Sequence, residues 1–375
     1  MKKISGIIFA VIVIIVFVYG CKKTVDPTVP GAPDVRATAA IQETVVTEIR
    51  QTETRQAEET YAVEALSFTP TSTMTSTYEN TPTYTVTSTP QPGSAWKCGS
   101  LYAGYGIRQS TVGLIYNGFI WLISGEYKKD VWKSADGINW QNVASSAAFP
   151  GRHSHSGVVY NNKMMIIGGY SNAVTGNYCP DVWSSSDGVT WTQNTSNGGF
   201  GARLNHSSLV YNGKIWLIGG FATGGVFKND VWNSVDGTTW TNATASSAFS
   251  TRRGHSSVVF KNKMWVIGGN NVSTYKNDVW SSYDGITWTL ETSAAGFSGR
   301  YLHKTIVYDN KIWVIGGYNG SMLADVWWSV DGINWVRSTS DAGFSGRGGF
   351  ACFAFDKKIW VAAGSNTYDD VWYSE

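Results

Sequence analysis

From about residue 96 to Glu375, short apolar runs separated by turn residues return six times in the same order. Each unit opens with a run such as His206 to Tyr211, in which apolar and polar residues alternate. Alternation with a period of two predicts a β-strand with one buried face. A second run, as at Ile312 to Ile315, is continuously apolar and is followed by a glycine pair. A unit that recurs in register over this length predicts a repeat architecture.

A pair of turn-forming residues joins the first run to the second in every unit. The pairs are Asn117–Gly118, Asn161–Asn162, Asn212–Gly213, Lys261–Asn262, Asp309–Asn310 and Asp356–Lys357. Asn-Gly and its relatives tolerate positive φ at both positions, as a two-residue β-hairpin requires. We therefore predict that the first two runs of each unit form a hairpin.

The second half of each unit carries two spaced tryptophans. Asp-Val-Trp marks a third strand in all six units, at Trp132, Trp183, Trp232, Trp280, Trp327 and Trp372. A Ser-x-Asp-Gly turn and a short fourth strand follow, the latter predicted to bear Trp140, Trp191, Trp240, Trp288 or Trp335. Four short antiparallel strands per unit are typical of one blade of a β-propeller.

The two ends of the repeat region complement each other. The sixth unit stops at Glu375, where its fourth strand should begin, whereas Trp96 stands twelve residues before Arg108, the same spacing as Trp140 to Arg152. A strand near Trp96 should therefore complete the last blade, and such closure removes unpaired strand edges. We predict an all-β fold, a six-bladed propeller of four-stranded antiparallel blades over residues 95–375.

These motifs resemble a known family. The glycine pair after a hydrophobic second strand, with aromatics on strands three and four, resembles the kelch repeat of galactose-oxidase and kelch-like propellers, over residues 96–375. The segment Ser134 to Trp140 (Ser-x-Asp-Gly-x-x-Trp) also resembles the Asp-box of sialidases, with one residue fewer between Asp and Gly. Both resemblances imply the same propeller architecture.

The first residues have the pattern of an export signal. Lys2 and Lys3 precede an apolar run from Ile7 to Val18, which is short for a membrane-spanning helix. A cysteine after a small residue, at Cys21, resembles a bacterial lipoprotein processing site. Residues 1–20 are thus expected to be a lipoprotein signal peptide and Cys21 the lipidated residue, with an uncleaved single-span anchor as the alternative. Either reading places the propeller in the cell envelope, outside the cytoplasmic membrane.

Residues 21–94 are predicted to be a stalk. Glu, Gln, Ala and Thr with loosely spaced apolar residues allow a marginal helix over residues 41–66. From Ser67 to Ser94 threonine and proline dominate, and such a segment has too little apolar surface to form a core.

Composition narrows the class of partner. The chain has 375 residues, a formal net charge of +2 and only 15% charged residues. This balance argues against a nucleic-acid partner, which would need a clustered basic patch. Three cysteines besides Cys21, at Cys98, Cys179 and Cys352, fall in different parts of the repeat, and we expect no disulfide among them.

The repeated arginine offers two interpretations. It stands before the first, innermost strand of each unit and predicts a collar around the channel mouth. The six residues are Arg108, Arg152, Arg203, Arg252, Arg300 and Arg347. Arginine suits bidentate capture of a carboxylate or phosphate, but a residue present in every unit also suits structural hydrogen bonding between blades.

Four of the five histidines occupy one repeat position, at His155, His206, His255 and His303. A metal site would need several nitrogens at about 2 Å from one ion. Face-packed sheets lie about 10 Å apart, so we expect structural histidines and no metal site.

The loops between strands two and three differ in length and chemistry, and function in a symmetric ring is expected where the symmetry breaks. They carry Tyr127, Tyr178, Phe227, Tyr275 and Tyr318 among small and amide residues. Aromatics in such surroundings suit recognition of a protein or a glycan. We therefore expect a monomeric binding module, tethered to the membrane by its lipid anchor alone.

Catalytic motifs are missing from the sequence. It shows no nucleophile elbow, no phosphate loop and no assignable pair of catalytic carboxylates, so no catalytic residue and no cofactor are assigned. The alternative is an enzyme, because six-bladed kelch-like proteins include periplasmic sialic-acid mutarotases. That resemblance implies that the arginine collar would hold the acid while Glu126 moves a proton. A purely structural envelope component is a third possibility.

Overall fold

A computed structural model describes residues 93–365 and 368–375. The chain divides into two units, Met1–Pro82 and Thr83–Glu375, and every described residue belongs to the second. The expected signal peptide (1–20), the lipidation site Cys21 and the marginal helix (41–66) lie outside the described residues, as does the stalk up to residue 92. Within the described part of the chain, no helix is long and apolar enough to cross a membrane.

The described residues form 25 strands in six antiparallel sheets. The first strand is β1 (Trp96–Ser100). Blade 1 contains β2 (Val112–Tyr116), β3 (Phe119–Ile123), β4 (Val131–Ser134) and β5 (Gln141–Ala144). Blade 2 contains β6 (Ser156–Tyr160), β7 (Lys163–Ile167), β8 (Val182–Ser185) and β9 (Thr192–Thr195). Blade 3 contains β10 (Arg203–Leu204), β11 (Ser207–Tyr211), β12 (Lys214–Ala222), β13 (Val226–Ser234) and β14 (Thr241–Thr244).

The remaining blades follow the same order. Blade 4 contains β15 (Ser256–Phe260), β16 (Lys263–Asn270), β17 (Tyr275–Ser282) and β18 (Thr289–Thr292). Blade 5 contains β19 (Lys304–Tyr308), β20 (Lys311–Tyr318), β21 (Met322–Ser329) and β22 (Val336–Thr339). Blade 6 contains β23 (Ala351–Phe355), β24 (Lys358–Ala362), β25 (Val371–Ser374) and β1.

The first strands of the blades line a central channel. They contact one another in the closed cycle β2, β6, β11, β15, β19, β23 and back to β2. The predicted six-bladed propeller is confirmed. We call the end with the strand 2–3 loops and the connections between blades the loop face, and the opposite end the turn face.

Closure by the N-terminal strand is also confirmed. β1 pairs antiparallel with β25, and the register places Trp96 opposite Ser374 and Cys98 opposite Trp372. The backbone N–H of Glu375 donates to the Ala95 carbonyl at 3.0 Å. The last blade is therefore built from both ends of the repeat region.

The strand 1–2 turns have the predicted backbone. Both residues of all six pairs have positive φ, from 49° and 77° at Asn117 and Gly118 to 47° and 57° at Asp356 and Lys357. Two positive φ values match the right-handed twist of the flanking strands. The hairpin prediction is confirmed.

One detail of the predicted strands is wrong. Trp140, Trp191, Trp240, Trp288 and Trp335 each end the turn before the fourth strand, which begins at the next residue. The indole N–H of Trp140 donates to the Gly137 carbonyl at 3.0 Å, and the ring packs edge-on against Tyr105 at 5.3 Å. The indole closes the turn and reaches the connection from the preceding blade, and pairing with the third strand starts one residue later, where Gln141 lies opposite Lys133.

The core lies between the blades. Each interface buries residues of the second strand of one blade, such as Leu217 and Ile215, against the first two strands of its neighbour. Cys98, Cys179 and Cys352 are free thiols. Cys352 lies in the first strand of blade 6. Burial raises the pKa of its thiol to about 12, so this side chain is neutral.

Candidate functional site

The repeated arginine forms a buried ion pair inside its own blade. In blade 3, Arg203 makes a bidentate contact with Asp230, at 2.7 and 2.9 Å. The second carboxylate oxygen also accepts from the Trp232 indole at 2.9 Å. The same triad occurs in all six blades, with the partners Asp130, Asp181, Asp230, Asp278, Asp325 and Asp370. The aspartate of the Asp-Val-Trp motif is thus the ion-pair partner of the repeated arginine.

The arginine backbone joins neighbouring blades. The second residue of each glycine pair donates its N–H to the arginine carbonyl of the next blade, as Gly169 does to Arg203 at 2.9 Å. The bond from Gly364 to Arg108, at 3.1 Å, closes the circle. Gly169 has a φ of 103°, and a Cβ there would come within 2.7 Å of the His155 Cβ. A glycine is needed because the start of the blade's own first strand lies this close.

These contacts leave the arginine side chains inaccessible. All six are 0–1% exposed, and their donors are used by aspartate and backbone oxygens. A charge-assisted bidentate pair is among the stronger polar contacts in a protein. Ligand binding by the six arginines stays a prediction that this geometry does not favour, and the site is not built on them.

The repeated histidines line the channel as neutral side chains. His206, His255 and His303 each share a hydrogen bond of 2.8 to 2.9 Å between Nε2 and a serine hydroxyl of the preceding blade. Burial, with the charge of the repeated arginine, lowers the pKa of His206 and of His255 to about 3. Among the described residues, no group of three metal-ligating side chains is close enough to hold an ion.

The loop face has a repeated frame of its own. The residue after each arginine pairs with the residue after the glycine pair, as His153 pairs with Tyr170 and Tyr301 with Tyr318. In blade 4 the pair is Arg253 and Asn270. Since the frame is fixed by backbone hydrogen bonds, its side chains are held in place at the rim of the channel.

Aromatic rings fill this frame from blade 1 to blade 3. Tyr127 packs edge-on against His153 at 4.7 Å, and Tyr170 follows at 5.3 Å from His153. The row continues at 5.4 Å from Tyr170 to Tyr178 and at 6.4 Å from Tyr178 to Phe221. Successive contacts of this length make one continuous surface across the three blades.

Arg253 extends the row toward blade 5. Its guanidinium lies over Phe221 at 4.8 Å and over Phe227 at 5.3 Å. A Cβ placed on Gly254, the residue after Arg253, would come within 2.9 Å of the Tyr301 ring, so this ring lies beside the same connection. An arginine over aromatic rings leaves its charged edge free for a ligand.

Blades 4 and 5 together contribute the last aromatic group. Tyr275 stacks on Tyr301 at 5.7 Å, and Tyr318 meets both rings at 6.0 and 5.7 Å. We call the whole row the aromatic arc. It comprises Tyr127, His153, Tyr170, Tyr178, Phe221, Phe227, Arg253, Tyr275, Tyr301 and Tyr318.

The arc does not close into a ring. Blade 6 places Gly348 and Ser365 in the frame, joined by a backbone hydrogen bond of 2.9 Å. The loop tips of blades 3 and 4 expose Val226 (46%) and Val272 (86%). The loop face therefore has an aromatic side with apolar tips and a small-residue side.

At the start of the arc the backbone is in an unusual conformation. Glu126 and Tyr127 both have positive φ, 49° and 61°, which non-glycine residues rarely adopt. Burial lowers the pKa of His153, and the Glu126 carboxylate acts against this effect. Such backbone conformations occur preferentially at functional sites, and here they place an exposed carboxylate next to an imidazole and a phenol.

The structure brings together all five predicted loop aromatics in this arc. Sequence reasoning missed five of the ten members as site residues, namely His153, Tyr170, Phe221, Arg253 and Tyr301. These residues could have been identified from the sequence, because each stands directly after a repeated arginine or a glycine pair. It was overlooked because those positions hold different residue types from blade to blade.

Comparison with known proteins agrees with this architecture. A model of the KLHDC2/KLHL20/DRC7 Kelch-repeats domain matches residues 115–289, which run from blade 1 into blade 4. The solved structure described as "Structure of YjhT" superposes with a TM-score of 0.62 at 14% sequence identity, covering 72% of this chain and 96% of that chain. No curated protein is significantly similar in sequence. An identity this low shows the shared fold alone.

Proposed function

We propose that this kelch-repeat propeller is a binding module that presents the aromatic arc to a protein ligand. The arc itself carries the proposal, because ten side chains from five blades form one continuous surface on a rigid frame. Tyrosine, phenylalanine and arginine are the residue types enriched where binding energy concentrates in protein interfaces. The match to a Kelch-repeats domain over residues 115–289 supports the same class of function.

The asymmetry of the loop face supports a directional mode of binding. Tyr127 and Tyr275 are each 41% exposed, so their rings are accessible while their neighbours hold them in place. Rigid aromatic side chains lose little conformational entropy on binding. Blade 6 has Gly348 and Ser365 in the frame, and its one loop aromatic, Tyr368, packs on the guanidinium of the buried Arg347 at 4.4 Å. A ligand is therefore expected to lie along blades 1 to 5.

The test compares two faces of one molecule. The full chain is probed against an array of surface proteins and glycans, beside a variant with Tyr178→Ala, Phe227→Ala and Tyr275→Ala. Tyr283→Ala serves as the matched control, because Tyr283 is 61% exposed in a strand 3–4 turn on the turn face. We expect the triple variant to lose capture and the control to retain it.

Three results would count against the proposal or redirect it. Capture that survives in the triple variant would remove the aromatic arc as the binding surface. Loss of capture in Tyr283→Ala alone would move the site to the turn face. Capture of glycans without any protein would assign the same arc to carbohydrate recognition, which flat aromatic rings also suit.

We also propose that the propeller is tethered outside the cytoplasmic membrane through Cys21. The support is the sequence alone, namely Lys2 and Lys3, the apolar run that follows and the cysteine at its end. Metabolic labelling with a fatty acid should label the chain but not its Cys21→Ser variant. A labelled variant would indicate another mode of attachment.

Mutarotation of an acidic sugar is the second candidate, and one observation favours it. Glu126 lies within electrostatic reach of His153 at the rim of the channel, where a carboxylate could move a proton. The arginines that such a site would use are buried in ion pairs. NMR of α/β-sialic acid equilibration decides the matter, since rate enhancement that disappears in Glu126→Gln would establish the enzyme.

A further inference from the structure

The central channel is narrowed at the loop face by a closed ring of backbone hydrogen bonds. Each donor N–H bonds to the carbonyl of the equivalent residue in the preceding blade, as Asn205 does to Ser154 at 2.9 Å. The six members are Ser110, Ser154, Asn205, Gly254, Leu302 and Gly349. Because the circle is complete, backbone atoms surround the channel on every side at this point.

Two connected cavities lie at and below this ring. The upper has a volume of about 60 Å³ and the lower about 180 Å³, and both are lined by the four repeated histidines and Lys304. Even the smaller upper cavity has room for a species of the size of water. The residues that line them include no aspartate or glutamate.

Lys304 is the one charged residue at its repeat position, where blade 1 has Val112 and blade 6 has Ala351. Blades 2, 3 and 4 carry Ser156, Ser207 and Ser256 there, and each of these hydroxyls pairs with a histidine of the next blade. Blade 6 has Phe350 where the histidine would be. Lys304 makes no hydrogen bond or ion pair with any described residue, so its ammonium group stands in the channel without a counter-charge.

The channel also holds polar atoms with no partner among the described residues. Ser208 and Ser257 have buried hydroxyls without a hydrogen bond, and His155 lacks a partner on both ring nitrogens. His155 is 7% exposed. His155 is unpaired because the blade before it, blade 1, has Val112 at the position of the serine partner. The blades before the other three histidines have serine there.

These groups face one another across the channel. Lys304 is in blade 5 and His155 is in blade 2, its opposite in a ring of six. Burial and the Arg152 charge lower the pKa of His155, and the Lys304 charge adds to the effect, which shows that Lys304 is within electrostatic reach. An ammonium group held inside the channel and buried unpaired hydroxyls each cost free energy unless a ligand or water satisfies them.

We propose that the channel binds one small inorganic anion of the size of chloride, held by the Lys304 ammonium and the unpaired N–H and O–H donors around it. The lone positive charge, the absence of carboxylates from the cavity lining and the unused donors all favour an anion over a cation. This site is distinct from the aromatic arc, so it stands or falls independently of the proposed function.

Bromide gives a direct test, because it scatters X-rays anomalously and replaces chloride. Crystals of the full chain grown with bromide should show one anomalous peak in the channel near Lys304 Nζ and His155. Water density without an anomalous peak there would overturn the proposal. Peaks confined to the outer surface would do the same.

Thermal unfolding of the full chain gives a second test. At constant ionic strength, replacing gluconate by chloride should raise the Tm with the logarithm of the chloride concentration above the Kd, by about 5 °C at a hundredfold excess over the Kd. Lys304→Ser, which restores the residue of three other blades, should abolish the rise, whereas Lys163→Ser on the exposed surface should not. A rise of the same size in Lys304→Ser, or no rise in the wild type, would refute the anion site.

Discussion

Trp121 of blade 1 lies directly against the backbone of Gly188 in the strand 3–4 turn of blade 2. A Cβ placed on Gly188 would come within 2.1 Å of the indole ring. The same relationship joins Trp216 to Gly285, also at 2.1 Å. The glycine of Ser-x-Asp-Gly is therefore a packing surface for the neighbouring blade as well as a turn residue.

Gly188→Ala is predicted to destabilise the propeller through this contact. The added methyl must displace a buried tryptophan, and overpacking of this kind costs typically about 1–3 kcal/mol. Gly213→Ala is the matched control, because Gly213 has a similar φ, 69° against 77°, but meets nothing within 4 Å. Urea unfolding should show the larger loss for Gly188→Ala. Equal losses would mean that only backbone strain matters.

The ion pair between Arg203 and Asp230 provides the second prediction. Arg203→Met leaves a buried carboxylate without its partner, and such a change costs about 3–5 kcal/mol. Adding Asp230→Asn removes that charge while the amide oxygen still accepts from Trp232. The double variant should therefore be more stable than Arg203→Met alone.

A double-mutant cycle measured by urea unfolding tests this arrangement. Coupling is expected to be strong, since both side chains share two hydrogen bonds. If the two substitutions were additive, Arg203 would be free of Asp230 in solution. That result would also reopen ligand binding by the arginine collar.

The turns and the closure followed from the sequence because they depend on local chemistry. Asn-Gly pairs set the hairpins, and the spacing from Trp96 to Arg108 set the closing strand. Gly93 went unnoticed, although it occupies the turn-glycine position of the last blade and its carbonyl accepts from Trp96 at 3.0 Å. It lies two residues before the predicted boundary at residue 95.

The site was harder to predict because the recurrence of a residue type does not show whether its side chain is buried or exposed. Six arginines in register suggested a charged collar, but their aspartate partners stand 22 to 29 residues away in sequence. Only the three-dimensional path of the blade brings Arg152 and Asp181 together. The aromatic arc was incomplete for the same reason, since Arg253 meets Phe221 across a blade boundary.

The buried histidines predict a loss of stability in acid. Burial lowers the pKa of His206 and His255 to about 3, whereas an unfolded histidine titrates near pH 6.5. Below pH 6.5 the unfolded chain binds more protons than the folded one, so this contribution to stability is complete above pH 6.5. It is lost as the pH falls toward 3.

Urea unfolding as a function of pH measures this effect. His255→Gln should flatten the decline below pH 6.5 by up to about 1.4 kcal/mol per pH unit, because one titrating group is removed. Between pH 7 and 8 the slopes of the two proteins should agree, which serves as the internal control. An unchanged slope in acid would show that His255 is already charged when folded.

Closure of the ring gives the last prediction, and Trp96 is its probe. Trp96 is 8% exposed and packs edge-on against Phe344 at 5.3 Å. Trp240 makes the equivalent contact with Phe200 at 5.2 Å and is also 8% exposed, but its partner is near in sequence. Trp96→Ala and Trp240→Ala should each cost about 3–5 kcal/mol, because both leave the same cavity at a blade interface. Urea unfolding compares them, and a Trp96→Ala variant as stable as the wild type would mean that the ring stays closed without its N-terminal strand.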